Sequence, residues 1–234
     1  MSKKGGSIHK KRLNASTITV LEKRKGHKWI VGTKPGPHNK ELSVPITVVL
    51  RDLFKTVKTA KEAKKLIRDG KILIDNKKIK DHKLPIGLMD LISFPEEKIT
   101  YMMTLNKHGK LIGKEIKENN TKLGKVVKKT KIKKDKITIT LHDGKTIISD
   151  NNVKIGDTIL LSLKDKKINN LLKLEIGANC YIMDGKHVGH IGILKEIIKT
   201  ENSKQKIAKI DAKGKEIITV LEYLFIVNPE WGNE

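Results

Sequence analysis

Four cations, Lys61, Lys64, Lys65 and Arg68, stand at i, i+3, i+4 and i+7 within KTAKEAKKLIRDGKILIDNKKI, residues 58–79. On a helix that spacing lines them along one stripe, and the chemistry it offers is capture of a polyanion. A solvated helix face usually interleaves charges of both signs, whereas a stripe of one sign repels itself unless a partner neutralises it. No competing constellation for catalysis emerges. GHIG, 189–192, falls inside a strand pattern and lacks the surrounding nucleotide-binding signals; His108 and His142, the latter followed by Asp143, sit beside turn glycines, and the two histidines read as exposed loop residues. Asp90 is an acid in an apolar run and reads as a structural hydrogen-bonding residue, and Cys180 as a small core residue.

The elements that must position the stripe are legible. Thr59 with Glu62 three residues on is a capping box, and Gly70 supplies the stop. Ala60, Ala63, Leu66 and Ile67 give the helix its apolar face. Upstream, SVPITVVLRDLFKT predicts a helix starting at Pro45, with Ile46, Val49, Leu50, Leu53 and Phe54 turned toward that face. A hairpin follows, turning at Asn76, and the module closes near Phe94.

Composition points to the kind of partner. The chain carries 50 Lys and Arg against 26 Asp and Glu, a formal net charge of +24 in 234 residues. Self-repulsion on that scale disfavours a compact chain unless a polyanion is bound, and nucleic acid is the commonest. Aromatic residues make up 3% of the chain, too few for a series of base-stacking platforms. Arginine occurs only as Arg12, Arg24, Arg51 and Arg68, so bidentate guanine readout is not the main device. Lysine contacts to phosphates remain, a mode suited to double-stranded RNA recognised by shape and backbone geometry. No membrane partner is expected, because the sequence holds neither a spanning run nor a basic helix with large apolar residues opposite. MSKKGGSIHKKR lacks the apolar core of a secretory signal, and one cysteine excludes a disulfide framework and a cysteine zinc site. The expectation is an intracellular protein without metal, cofactor or small-molecule substrate.

The fold class expected is α+β and multidomain: a small two-helix plus hairpin RNA-binding module followed by two small β-barrel-like domains. Residues 1–43 read as a basic N-terminal arm, extended, with a short ordered segment around Trp29 and cations Lys10, Lys11, Arg12, Lys23, Arg24 and Lys25. Residues 44–98 are the module, 99–172 a central β domain, and 173–234 a further small barrel and tail. In the central domain KLGKVVKKTKIKKDK is a basic strand or hairpin that presents Lys128, Lys129, Lys131, Lys133 and Lys134.

KTAKEAKKLIRDGKILIDNKKIKDHKLPIGLMDLISF resembles the RNA-binding module of ribosomal protein S-four, some pseudouridine synthases and certain tRNA synthetases. PIGLMDLISF, 85–94, together with PGPH, 35–38, resembles the S-four-e family of archaeal and eukaryotic small-subunit ribosomal proteins. EIGANCYIMDGKHVGHIGIL, 175–194, is similar to a KOW motif, with Gly185, Gly189 and Gly192 in a loop between strands. The arm departs from the family pattern at ASTITV, 15–20, while Trp29 and the GPH ending at His38 still match it.

What the resemblance implies is a structural constituent of the small ribosomal subunit. Its partners would be small-subunit ribosomal RNA and neighbouring ribosomal proteins, and its place the cytoplasm, on the ribosome. Its RNA contacts would come from the arm and His38, from Arg51, Lys61, Lys64, Lys65 and Arg68, from the hairpin lysines Lys71, Lys77 and Lys78, from the 125–136 stripe, and from Lys186, His187 and Gly189. The alternatives are a non-ribosomal RNA-binding translation or transcription factor, or the accessory part of an RNA-modifying enzyme.

Overall fold

The structure, a computed structural model, describes residues 10–21, 25, 27–116, 120–133, 136–149, 153–165, 167–199, 205–212, 214–228 and 231. These form two compact units: one holds the described residues through Thr104 and from Lys110 to Ile116, the other Leu105–Gly109 and those from Asn120 onward. Helices are few, and the strand pairings are antiparallel throughout the described residues.

The first unit runs β1 (Lys10–Lys11), β2 (Trp29–Ile30), β3 (Val44–Pro45), α1 (Ile46–Val48), α2 (Ala60–Arg68), β4 (Leu73–Ile74), β5 (Lys77–Lys78), β6 (Pro85–Ile86), β7 (Leu91–Phe94), β8 (Ile99–Leu105) and β9 (Leu111–Ile116). Its main sheet has the order β5-β4-β7-β8-β9. The sheet therefore continues past Phe94, because β8 pairs with β7 from Leu91↔Met102 to Phe94↔Ile99.

The capping box of α2 forms as its sequence predicts: Thr59 Oγ1 accepts from the Glu62 main chain, and Glu62 accepts from the Thr59 N–H. Ala63 and Ile67 are buried and Leu66 is half-buried. The first helix departs from expectation. α1 gives way after one turn to a π turn, Val49–Leu53, closed by Phe54 N donating to Val49 O at 2.9 Å. Ile46, Thr47, Val48 and Val49 are consecutive β-branched residues that crowd a regular helix and disfavour its continuation. Ile46, Val49 and Leu50 are buried, while Leu53 and Phe54 are half-buried; the Phe54 ring packs against Phe94 and Tyr101. Each fully buried aliphatic side chain contributes about 1.5–3 kcal/mol.

The arm is less extended than its low periodicity suggests. β1 pairs with β2, Arg12 N donates to Lys28 O, and Leu111 N donates to Ile18 O, tying the arm to β9. Ala15, Ile18 and Ile30 supply the small apolar surface that holds it down.

The second unit contains β10 (Thr121–Lys133), β11 (Lys136–Leu141), β12 (Thr146–Ser149), β13 (Thr158–Ser162), β14 (Ile168–Leu172), β15 (Asn179–Ile182), β16 (Ile191–Lys199), β17 (Lys206–Ala212), β18 (Lys215–Val220) and β19 (Leu224–Ile226). They make two five-stranded sheets, β12-β11-β10-β13-β14 and β18-β17-β16-β15-β19. β10 is shared along its length: Thr121–Lys125 pair with β13, and Val126 onward pairs with β11. At the changeover a Cβ on Gly124 would stand 2.8 Å from Leu141 Cδ1, so glycine permits the close crossing.

Val126, Ile139 and Ile159 centre one core, and Cys180, Leu194, Ala208 and Ile210 the other. Burial pushes the Cys180 thiol up to about 12, in keeping with a packing role. The two sheets are stitched by Ile226 N donating to Thr158 Oγ1 at 3.2 Å, by Lys125 Nζ donating to Glu222 O, and by the His142 ring meeting Phe225 edge-on.

The turn His142–Lys145 corrects the reading of His142 as exposed. His142 is half-buried and its Nδ1 accepts from Lys125 N. The Asp143 side chain is 1% exposed, 3.2 Å from an equally buried Lys122 and 3.1 Å from Lys145. Burial alone would raise the Asp143 pKa; the two ammonium groups overcome it and hold the carboxyl at about 2.

Candidate nucleic-acid interface

Lys61, Lys64, Lys65 and Arg68 all project to solvent from α2, on the side away from Ala63 and Ile67. None of the four has an ion-pair partner among the described residues. The helix is thus amphipathic between a core face and a purely cationic one. Glu62, the acid of its first turn, is committed to the cap, with its pKa lowered by hydrogen bonds from the Lys58 and Thr59 main chain.

The β4–β5 hairpin brings more cations to this helix. Asp75 and Asn76 have φ of 49° and 60°, the twin left-handed residues of a two-residue hairpin turn, so Asn76 does the conformational work of glycine. Lys77 and Lys78 are exposed, and the Lys78 stem lies over Gly70, where a Cβ would be 3.6 Å from Lys78 Cδ. Gly70 itself has φ 72°, the left-handed stop for α2. Lys71 is exposed but lies 3.2 Å from Glu96. His82, which the sequence reading did not single out, adjoins the stripe: burial first, then the charge on Lys64, lower its pKa, so it faces the surface as a neutral imidazole at pH 7.

Three of the expected contact residues are buried or already paired within the protein. Arg12 is only 6% exposed, so its guanidinium is not on the surface. The Arg51 guanidinium is held by both carboxylate oxygens of Asp52, at 3.0 and 2.8 Å, and that bond raises its pKa. The His38 side chain is 4% exposed, its Nε2 2.9 Å from Asp90 Oδ2. Asp90 also accepts from Gly87 N at 2.9 Å, fulfilling the hydrogen-bonding role expected of it. A Cβ on Gly87 would collide with the His38 ring at 2.4 Å, so His38 is a latch between the arm and the 85–90 loop. Its partner lies 52 residues away, which is why the sequence did not reveal it.

In the arm, Lys11 and Lys25 are exposed. Lys10 is half-buried, its pKa lowered by burial and by nearby Lys40. Lys28 lies over the face of the exposed Trp29 ring, 5.1 Å from its centre. Lys23, Arg24 and Lys134, together with the Lys133 side chain, lie outside the described residues. In the β10–β11 hairpin, Lys128 and Lys131 are exposed and Lys129 is half-buried.

In the glycine loop between β15 and β16, Lys186 is exposed and His187 half-buried. His190 Nδ1 lies 3.0 Å from His187 O. Gly189 has φ 79°, and a Cβ there would stand 2.6 Å from Asn106 O. Its smallness serves the approach of the 106–109 turn.

Two family models match the chain, Ribosomal family S4e over residues 98–168 and S4 domain over residues 55–92. The small ribosomal subunit protein eS4 of Archaeoglobus fulgidus is 36% identical over 220 residues, spanning 94% of this chain and 93% of that protein. The eS4 protein of Nanoarchaeum equitans is 38% identical over 200 residues, 85% of each chain. The crystal structure of the 30S ribosomal protein S4e from Thermoplasma acidophilum aligns with a TM-score of 0.70 at 27% identity, covering 81% of this chain and 96% of that one.

Proposed function

The chain belongs to the S4e family of small-subunit ribosomal proteins, a structural and non-enzymatic family, and from that premise we propose that it grips small-subunit ribosomal RNA through lysine–phosphate contacts. The observation that carries this is the α2 stripe: four exposed cations with no acidic partner among the described residues, on a helix whose other face is core. Lys77 and Lys78 extend the grip from the hairpin. Lys128 and Lys131 on β10, Lys11 and Lys25 in the arm, and Lys186 in the loop of the KOW-like segment 175–194 add further phosphate contacts.

Such contacts position the protein without reading bases, and they favour a structured RNA whose backbone geometry matches the cations. The protein would join the subunit during assembly and remain in it, in the cytoplasm, beside neighbouring ribosomal proteins. The experiment is filter binding of the full chain to its own small-subunit ribosomal RNA and to an unrelated RNA of equal length. Lys61, Lys65 and Arg68 changed together to Glu should abolish the preference for the ribosomal RNA. Equal loss on both RNAs, or none, would remove α2 as the specific grip.

A further inference from the structure

In the second unit, two segments distant in sequence close on each other to make a surface that neither makes alone. Tyr181 accepts from Leu105 N at 2.9 Å and donates to Leu105 O at 2.8 Å, across 76 residues. That pair of hydrogen bonds to a buried phenol fixes the start of the 105–109 segment. The turn is then shaped by Gly109 N donating to Asn106 O and by Asn106 Oδ1 accepting from His108 N, both at 2.9 Å. Gly109 has φ 68°, and a Cβ there would stand 3.3 Å from Val188 Cγ1. On the other side, Gly189 N donates to Ile182 O at 2.8 Å, holding the glycine loop in register with its own strand. Main chain therefore meets main chain where Gly189 abuts Asn106.

Around this contact, Lys107 and His108 are exposed on the turn, and Lys186 is exposed on the loop beside half-buried His187. Lys107 and Lys186 have no ion-pair partner among the described residues. The acid of the loop, Asp184, uses Oδ1 to accept from Gly185 N at 2.7 Å. The cations thus stand on a framework fixed by hydrogen bonds and close packing, so little ordering entropy is lost when they engage a ligand.

We infer that the 106–109 turn and the 184–190 loop form one composite site for an RNA phosphate backbone, with Lys107 and Lys186 as its cationic ligands and His108 and His187 as hydrogen-bonding flanks. It rests on the ribosomal RNA-binding reading, and adds a grip in the second unit to that of α2 in the first. RNA fits better than an acidic protein segment because the whole chain carries a net charge of +24.

The test uses the full chain and its own small-subunit ribosomal RNA, with Lys107→Glu, Lys186→Glu and Tyr181→Phe compared with wild type across a salt series. Each charge reversal should lower affinity several-fold and reduce the log–log salt slope by about 1. Tyr181→Phe removes the clamp and no charge; it should weaken binding and blunt the further effect of Lys107→Glu. Thermal melts of the charge variants should match wild type, since both lysines are exposed. Loss with Lys186→Glu but not with Lys107→Glu would overturn the composite site and leave the loop acting alone. Silence of both, with the α2 triple variant still defective, would overturn this site and spare the ribosomal reading; silence of all variants would overturn both. Retained RNA affinity with lost binding to a polyglutamate probe would assign the surface to an acidic protein instead.

Discussion

At the scale of single residues, the most consequential side chain outside the RNA grip is Asp143. It is packed against Lys122, whose side chain is also 1% exposed. Asp143→Asn would leave the Lys122 ammonium buried without its counter-charge, at a cost of about 3–5 kcal/mol. The penalty should depend on pH. The Asp143 carboxyl is held at about 2, against an ordinary value of 3.8. Its contribution to stability is complete above pH ~4 and is lost as pH falls through about 2. Urea unfolding at pH 7, 4 and 2 should show wild type and Asp143→Asn converging in acid; an unchanged gap would mean the loss comes from packing. Gly189→Ala poses a second residue-scale test: the left-handed backbone and the 2.6 Å clash with Asn106 O should lower the melting temperature and free the 106–109 turn to exchange amide protons.

At the scale of elements, what could be read from the chain divides by sequence distance. The capping box of α2 was legible because its two partners lie three residues apart, and Thr59→Ala should cost about 1 kcal/mol in thermal or urea unfolding. The turn at Asn76 was legible for the same reason, since a left-handed conformation is a local property. The π turn after α1 was not, because the hydrophobic spacing of Ile46, Val49, Leu50 and Phe54 fits an ordinary helix and only the β-branched run speaks against it. Contacts across long separations were invisible: His38 to Asp90, Lys122 to Asp143, Tyr181 to Leu105. They follow from which strands become neighbours, and no spacing rule encodes that. The His38 latch predicts that His38→Ala will expose the arm, so limited trypsin digestion should release it faster while the rest of the first unit stays protected. Unaltered digestion would place the arm's anchorage at Ile18 and Leu111 instead.

At the scale of the whole molecule, the charge is unevenly committed. On β16 and β17 two cations are already answered, Lys195 by Asp211 and Glu216, and Lys209 by Glu196. On α2 they are not. If roughly six to ten phosphates are neutralised, affinity for ribosomal RNA should fall about 10³- to 10⁵-fold between 50 and 200 mM salt, by analogy with duplex DNA. Lys209→Glu should leave that slope unchanged, whereas reversal at Lys61, Lys65 and Arg68 should flatten it by about 3. β10 carries a consequence of another kind. Its first five residues keep step with β13 and its remainder with β11. Sliding the strand to absorb an inserted or deleted codon would turn side chains to the wrong face on one side or the other. In a gene free to drift in length, this stretch is expected to keep its residue count while the connections between strands lengthen and shorten.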